Sequence, residues 1–462
     1  MEDIFDFVNP LDFRYYGRNE KLKQDLGKYF SENARIKYQA RVELALIKAL
    51  AKRKICSQKA VDETKKAIEK VTAKEVYEEE DKIKHDIRAL VNCIRNYVSE
   101  DSKRFIHLGM TSNDVINTAD SLRFKDAAFE ILLPELKRLE KTLIDISLRE
   151  KSTLQIGRTH GQHAEPITFG FALSSYVHRL GERILQIEIA ANNLKGKIAG
   201  AVGAYNASFL LIKDPVEFEK DVLKELGLEA SLHSTQIVPP EYLLDLLHAI
   251  NSAMGVLANL ADDLRHLQRS EISEVYEFFE EKQVGSSTMP HKRNPINFEN
   301  VKSFWKEFMP RAITFYMDQI SEHQRDLTNS ASLRFMQENF IALYLMSSRL
   351  NKSIGKLKVD KENMLKNFNM SVKMIPAEPL YILLSFHGHK NAHEKVRELT
   401  LKAEQNKTEL LEEARKDKEL ADSLKKFSKE QIAVIENPKL YTGLAEKKTE
   451  IVCNYWKKKI NL

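Results

Sequence analysis

Between residues 244 and 268, apolar side chains recur at alternating spacings of three and four: Leu247, Ile250, Met254, Leu257, Ala261 and Leu264. This is the stripe of a packed helix, because residues three and four apart share one face. Asp262, Asp263, Arg265 and His266 fall off the stripe. A second helical pattern covers 130–150 through Leu133, Leu136, Leu139, Leu143 and Ile146. A third runs from Phe298 to about Ser321, where Pro310 should kink or interrupt it, since proline lacks the N–H a helix needs. A fourth covers about 334–357. Long helices in succession predict an elongated bundle, with seams that need partner subunits to cover them. Strand signals are sparse, and Ile198–Gly203 and Thr235–Val238 are too short to build a sheet.

Two breaks divide this pattern. Residues 1–110 carry shorter helices and end at His107-Leu-Gly-Met-Thr-Ser-Asn-Asp114, with a helix cap expected at Ser112 or Asn113. Beyond about residue 360 come short helices dense in Lys and Glu (Lys402 to Glu430), closing at Asn437-Pro438. The expected fold class is all-α, in three helical domains. These are 1–110, a central long-helix bundle at 111–360 containing a polar loop at 282–297, and a small C-terminal domain at 361–462. Only 16 glycines and 12 prolines in 462 residues agree with long helices.

Charge changes little. The net +5 is a small difference between 72 basic and 67 acidic residues, which argues against a nucleic-acid tail. No apolar run is expected to span a bilayer. The acidic start, residues 1–7, lacks the basic region of a secretory signal. Cys56, Cys93 and Cys453 are far apart with no CxxC, so no disulfide framework is expected and a reducing cytoplasm fits. Lys457-Lys458-Lys459 reads as a solvated end.

The chemistry-bearing residues cluster where helices break. Gly285-Ser-Ser-Thr-Met-Pro-His-Lys-Arg-Asn-Pro295 combines two hydroxyls (Ser286, Ser287), a cation (Lys292) and an amide (Asn294). Such groups can take a proton from carbon beside a carboxylate and hold the resulting charge. Arg158-Thr159-His160-Gly161-Gln162 packs cation, hydroxyl, imidazole and amide together, read as a helix entry before Phe169–Leu173. Thr111 and Ser112 offer hydroxyls suited to an anion, and His85-Asp86 lies in a helix-compatible run. Arg325 and Arg334, with Thr328, Ser330 and Ser332 between them, suit a phosphate, because guanidinium forks match its oxygens. Arg14-Tyr15 adds a cation and a ring. Each has a plainer reading alone: a structural histidine, a helix cap, a solvated helix face, surface arginines. His387, His389 and His393 lack the supporting ligands of a metal site, and no GxGxxG or GxxxxGK[ST] loop occurs. Neither a metal nor an organic cofactor is expected.

Residues 285–295 match the GSSxMPxKxNP signature of the fumarase/aspartase superfamily. The 107–114 and 158–162 clusters resemble its other two shared regions, in the right order, so the likeness covers most of the chain. Arg14-Tyr15, His85-Asp86, Thr159-His160, Thr235-Gln236 and Arg325…Ser330…Arg334 are most similar to the branch that acts on phosphorylated purine substrates. One departure is His163, where many relatives carry proline.

The resemblance implies a cytoplasmic homotetramer around a long helical bundle, with each active site built by three subunits. It implies elimination of fumarate from adenylosuccinate, giving AMP, and from succinylaminoimidazole carboxamide ribotide. Ser286 would be the general base. Lys292 and Asn294 would hold the carboxylate that takes up charge. His160 would be the general acid, with His85 the alternative. Thr111, Ser112, Thr159 and Gln236 would bind the succinyl group, with Asp86 also at the substrate. Arg14, Tyr15, Arg325, Ser330 and Arg334 would bind the phosphate and ribose. The glycine and prolines of the loop would hinge a lid. Rival readings are another fumarate-releasing member (argininosuccinate lyase, fumarase or carboxymuconate cycloisomerase type) and a non-catalytic helical homologue.

Overall fold

The stripe at 244–268 is realised as the helix Glu241–Leu267, and all six of its stripe residues are buried. The structure, a computed structural model, describes residues 9–462, so the acidic start lies outside it. The architecture is all-α. Leu133–Arg149 and Gln337–Gly355 match the second and fourth patterns. The third is two helices, Ile296–Phe308 and Arg311–Met317, interrupted at Pro310 as expected. Glu241–Leu267 corrects one expectation: it is long and apolar enough to cross a membrane, but 67% of its apolar window is buried, as in a core helix.

Strands form where the sequence reading did not expect them. Neither Ile198–Gly203 nor Thr235–Val238 is a strand. Leu154–Thr159 instead pairs antiparallel with Gln162–Thr168, and two-residue strands pair Lys195–Gly196 with Glu229–Ala230 and Val275–Tyr276 with Lys358–Val359. The hairpin replaces the helix entry read at 158–162, and helix Phe169–Asn192 begins only after it.

By compactness the chain divides into two units. One comprises Met1–Leu136, Arg183–Gly255 and Phe304–Ser347; the other comprises Lys137–Glu182, Val256–Ser303 and Ser348–Leu462. The chain passes between them five times, each time inside a helix: Leu133–Arg149, Phe169–Asn192, Glu241–Leu267, Ile296–Phe308 and Gln337–Gly355.

In the first unit, helix Glu32–Lys52 starts at Ser31, whose hydroxyl accepts from the Ala34 N–H at 3.2 Å. It buries Ile36, Ala40, Ile47 and Leu50 on one face. Phe124 and Phe340 stack at 4.9 Å beside Phe30. Each such buried ring contributes roughly 1.5–3 kcal/mol.

In the second unit, helix Ala445–Lys459 lays Trp456 against Gly181 of Phe169–Asn192. A Cβ on Gly181 would meet that ring at 2.3 Å, so only glycine permits the approach. Leu380, Leu384, Val396, Leu399 and Leu410 form a separate apolar cluster in the C-terminal region. His387 turns to Gln431 and Phe427 there, and His393 to the Tyr381 ring. Cys56, Cys93 and Cys453 are free and buried.

Glu140 is fully buried in the second unit, and neither of its carboxylate oxygens has a hydrogen-bond partner among the described residues. Burial raises its pKa well above the usual carboxylate value. Burial and Glu140 together push the Cys453 thiol up to about 12, with Ser147 opposing. The folded state therefore keeps a proton on Glu140 that the unfolded chain releases above its ordinary value of 4.5. Stability from this group is complete below that pH. It falls by about 1.4 kcal/mol per pH unit above it, until the folded carboxyl also ionises. Glu140→Met is expected to raise the melting temperature at pH 8, with the gain shrinking toward pH 5. Equal gains at both pH values would count against a buried neutral acid.

Candidate active site

The signature loop and the His160 hairpin both belong to the second unit. Gly285 is required by a close approach: a Cβ there would lie 2.1 Å from the Lys292 carbonyl oxygen. The Asn294 amide donates to the Gly285 carbonyl at 2.9 Å, closing the loop across its base. Ser286 Oγ accepts from the N–H groups of Met289 (3.0 Å) and Thr288 (3.3 Å). Ser286 is half-buried, whereas Ser287 and Lys292 are exposed. Ser287 Oγ lies 3.5 Å from the Thr288 hydroxyl.

His160 and Gly161 form the two-residue tip of the hairpin, between Thr159 and its partner Gln162. Both are in the left-handed region, at φ 53° and 76°. That is routine for glycine and costs energy for histidine, and such strain gathers at functional sites. The tip is exposed, and the base of the hairpin is held firmly. Arg158 forks onto the buried Glu274 at 2.6 and 3.2 Å, and Gln155 donates to Glu274 at 2.7 Å. His163 Nδ1 lies 2.8 Å from the Ser371 hydroxyl, tying the second strand to helix Lys361–Ser371. Burial, with Arg158 nearby, lowers the His163 pKa against the opposing pull of Glu274.

The remaining candidates belong to the first unit. The cap of helix Ser112–Ala127 is Thr111, one residue before the expected Ser112 or Asn113. The Thr111 N–H donates to the Asp114 carboxylate at 2.8 Å. Asp114 forms an ion pair with Lys197, both 0% exposed, and also accepts from the Ala199 and Gly200 N–H groups. His107, at φ 64°, donates its N–H to buried Glu43, and its Nδ1 lies 2.7 Å from the same carboxylate. Burial works to lower the His107 pKa, but Glu43 outweighs it and holds the ring above its usual value.

Asn113 donates to the Gln236 side chain at 3.2 Å, and the Gln236 N–H donates to the Gln324 carbonyl at 3.3 Å. Three candidate segments thus meet: Thr111-Ser112, Thr235-Gln236 and the one leading to Arg325. Arg325 is half-buried and its pKa lowered by burial, while Ser330 and Arg334 are exposed. This segment is irregular, with a short 3-10 turn at Ser332–Phe335 in place of a capped helix start. Arg14 and Tyr15 lie in a π-helical turn, Leu11–Gly17, where Tyr15 packs edge-on against Phe304 at 4.7 Å and Arg14 is exposed. His85 is not inside a helix. It caps Asp86–Arg95, its Nδ1 accepting from the Arg88 N–H at 3.3 Å, and is exposed beside half-buried Asp86.

Four buried carboxylates that the sequence reading gave no role lie behind these clusters: Glu43, Asp114, Glu274 and Glu277. One carried a readable signal. Ile36, Ala40, Glu43, Ile47 and Leu50 follow the four-three spacing of a buried stripe, so Glu43 is an acid on an apolar face.

A lyase family profile matches residues 13–307, and an adenylosuccinate lyase C-terminal profile matches 321–433. Adenylosuccinate lyase of Archaeoglobus fulgidus is 35% identical over 97% of this chain and 98% of its own. The chain belongs to the adenylosuccinate lyase family. It is an enzyme of the lyase class. Adenylosuccinate lyase of Pyrococcus horikoshii is likewise 35% identical, over 97% of this chain and 98% of that protein. Among solved structures, 3-carboxy-cis,cis-muconate lactonizing enzyme from Pseudomonas putida has a TM-score of 0.82 at 21% identity, covering 95% of this chain and 98% of its own. Fumarate lyase from Mesorhizobium sp. BNC1 has a TM-score of 0.80 at 21% identity, covering 93% and 97%. These structures are similar in fold. The family assignment rests on the sequence relatives.

Proposed function

We propose that this chain eliminates fumarate from adenylosuccinate, giving AMP, and from succinylaminoimidazole carboxamide ribotide, giving aminoimidazole carboxamide ribotide, in cytoplasmic purine nucleotide synthesis. The observation that carries the reading is the full-length likeness to adenylosuccinate lyases, which extends over the arginine-serine segment by way of the C-terminal profile.

Ser286 takes the proton from the succinyl carbon next to the retained carboxylate. Lys292 and Asn294 steady that carboxylate as it gains charge. The bond from the neighbouring carbon to nitrogen then breaks, and His160 protonates the departing nitrogen. Two backbone N–H groups directed at Ser286 Oγ support the choice of Ser286 over Ser287, because such donors favour the charged form of a hydroxyl. The left-handed backbone at His160 supports a reacting role for that ring, with His85 and Asp86 at the phosphate or leaving-group side. Thr111, Ser112, Thr159 and Gln236 bind the succinyl group. Arg14, Tyr15, Arg325, Ser330 and Arg334 bind phosphate and ribose. The proposal includes a homotetramer, with sites assembled from three subunits around the 111–360 bundle. Exposed Ile313, Met317 and Ile320 supply apolar surface for it.

The test is an absorbance assay of the purified protein with adenylosuccinate, following AMP and fumarate, beside argininosuccinate as a control. Activity on argininosuccinate alone would overturn the purine reading. Arg334→Ala is expected to raise KM for adenylosuccinate roughly 10-fold or more, the usual loss for one charge-assisted hydrogen bond. Unchanged activity would remove the phosphate clamp from the proposal.

A further inference from the structure

Glu274 and Glu277 flank the two-residue strand Val275–Tyr276, which pairs with Lys358–Val359. Neither has a role in the chemistry above. Glu274 is 0% exposed and accepts from Arg158, Gln155 and, at 2.8 Å, Asn367. Its own N–H donates to the Leu267 carbonyl, and its carbonyl accepts from the Asp360 N–H, both at 2.9 Å. It is therefore fixed from main chain to carboxylate, and what it fixes is the strand that ends directly before His160.

Glu277 does the same for the other reacting segment. Its carboxylate accepts from the Phe298 N–H at 2.8 Å and from the Asn297 N–H and side-chain amide at 3.2 and 2.8 Å. Those groups open helix Ile296–Phe308, which starts directly after the signature loop. A carboxylate at a helix N-terminus satisfies free N–H groups and complements the helix dipole. Gln268 completes the grip, accepting from the Glu277 N–H at 2.9 Å and donating to the Arg293 carbonyl within the loop at 3.3 Å.

Packing alone gives little reason for two buried acids three residues apart, because apolar side chains of similar volume serve stability as well or better. Directional bonds are what apolar groups cannot supply. They matter where a side chain on a strained tip, or a hydroxyl in an irregular loop, must be held to within a fraction of an ångström.

We propose that Glu274–Glu277 is a double clasp. Glu274 fixes the hairpin that carries His160, and Glu277, with Gln268, fixes the stem of the loop that carries Ser286. Both glutamates are positioning residues for the elimination. The inference rests on the assignment of His160 and Ser286 given above.

Glu274→Gln and Glu277→Gln keep shape while losing the charge that holds several donors at once. Each is expected to lower kcat on the order of 10- to 100-fold with KM changed by less than about threefold, as for misplacement of a reacting group. The decisive readout is coupling. Glu274→Gln should cost nothing further in a His160→Gln background, and Glu277→Gln nothing further in a Ser286→Ala background. Losses that multiply would mean a general structural role and overturn the clasp. So would unchanged kcat in the single variants. Full activity of His160→Gln itself would instead remove the acid assignment, leaving the kcat of Glu274→Gln to report on the hairpin independently. Should Glu274→Gln fail to fold, Asn367→Ala removes one donor and leaves the Arg158 pair. It should give a smaller fall in kcat at unchanged KM, and no fall would overturn the proposal.

Discussion

Replacing Ser286 by alanine is expected to reduce kcat for adenylosuccinate by roughly 10²- to 10⁴-fold, the range attributable to one positioned acid–base group. Substrate affinity should be nearly unchanged. A serine hydroxyl is a weak base in water, so its use requires surroundings that favour the alkoxide. The Thr288 and Met289 N–H groups supply part of this, both directed at Ser286 Oγ. The Asn294 bond to Gly285 and the close approach of Gly285 to Lys292 hold the turn that aims them. Alanine removes the oxygen and leaves the turn's other bonds in place. The check pairs fumarate release with calorimetric titration of adenylosuccinate into the variant. Turnover within tenfold of wild type would transfer the base to another group, with Ser287 next to be replaced.

The largest expected loss of stability is at Lys197. Its ammonium and the Asp114 carboxylate are both inaccessible to water. Taking one partner away leaves the other charge buried, which costs about 3–5 kcal/mol in such pairs. Lys197→Met should therefore shift the urea midpoint far below wild type. Asp114 would keep the N–H groups of Thr111, Ala199 and Gly200, so some of the charge stays compensated. The double variant Asp114→Leu/Lys197→Met should not recover fully, because those amides would then lose their acceptor. A midpoint for Lys197→Met matching that of a surface lysine variant would show that the pair contributes nothing.

The legible parts of the chain were those governed by local periodicity. The stripe from Leu247 to Leu264 specifies a buried helix by its spacing, and Pro310 specifies its break by chemistry. The hairpin at 154–168 was not legible. Gly157 and Pro166 weaken it as a strand signal, and its tip is His160-Gly161 in place of the Asn-Gly that marks such turns. The register shift at Gly157, where a Cβ would lie 2.6 Å from the Glu165 carbonyl, is a tertiary accommodation with no short-range cue. The site divided in the same way. As candidates, Ser286, Lys292, Asn294 and His160 stand out in the sequence because a long motif and breaks in helices expose them. Glu274 and Glu277 do not, because an acid in a short linking segment looks solvated until its donors arrive from residues 155–158, 297–298 and 367.

Five helices that begin in one compact unit and end in the other have a practical result. Neither unit is a removable module, since each is woven from three separate stretches of chain, and excising it would sever every one of those helices. Insertions within them are equally restricted. A single added residue turns everything downstream by about 100° and moves a buried stripe toward solvent. Length variation among functional variants of this enzyme is therefore expected in the connections and at the C-terminal helices, with the five shared helices constant in length.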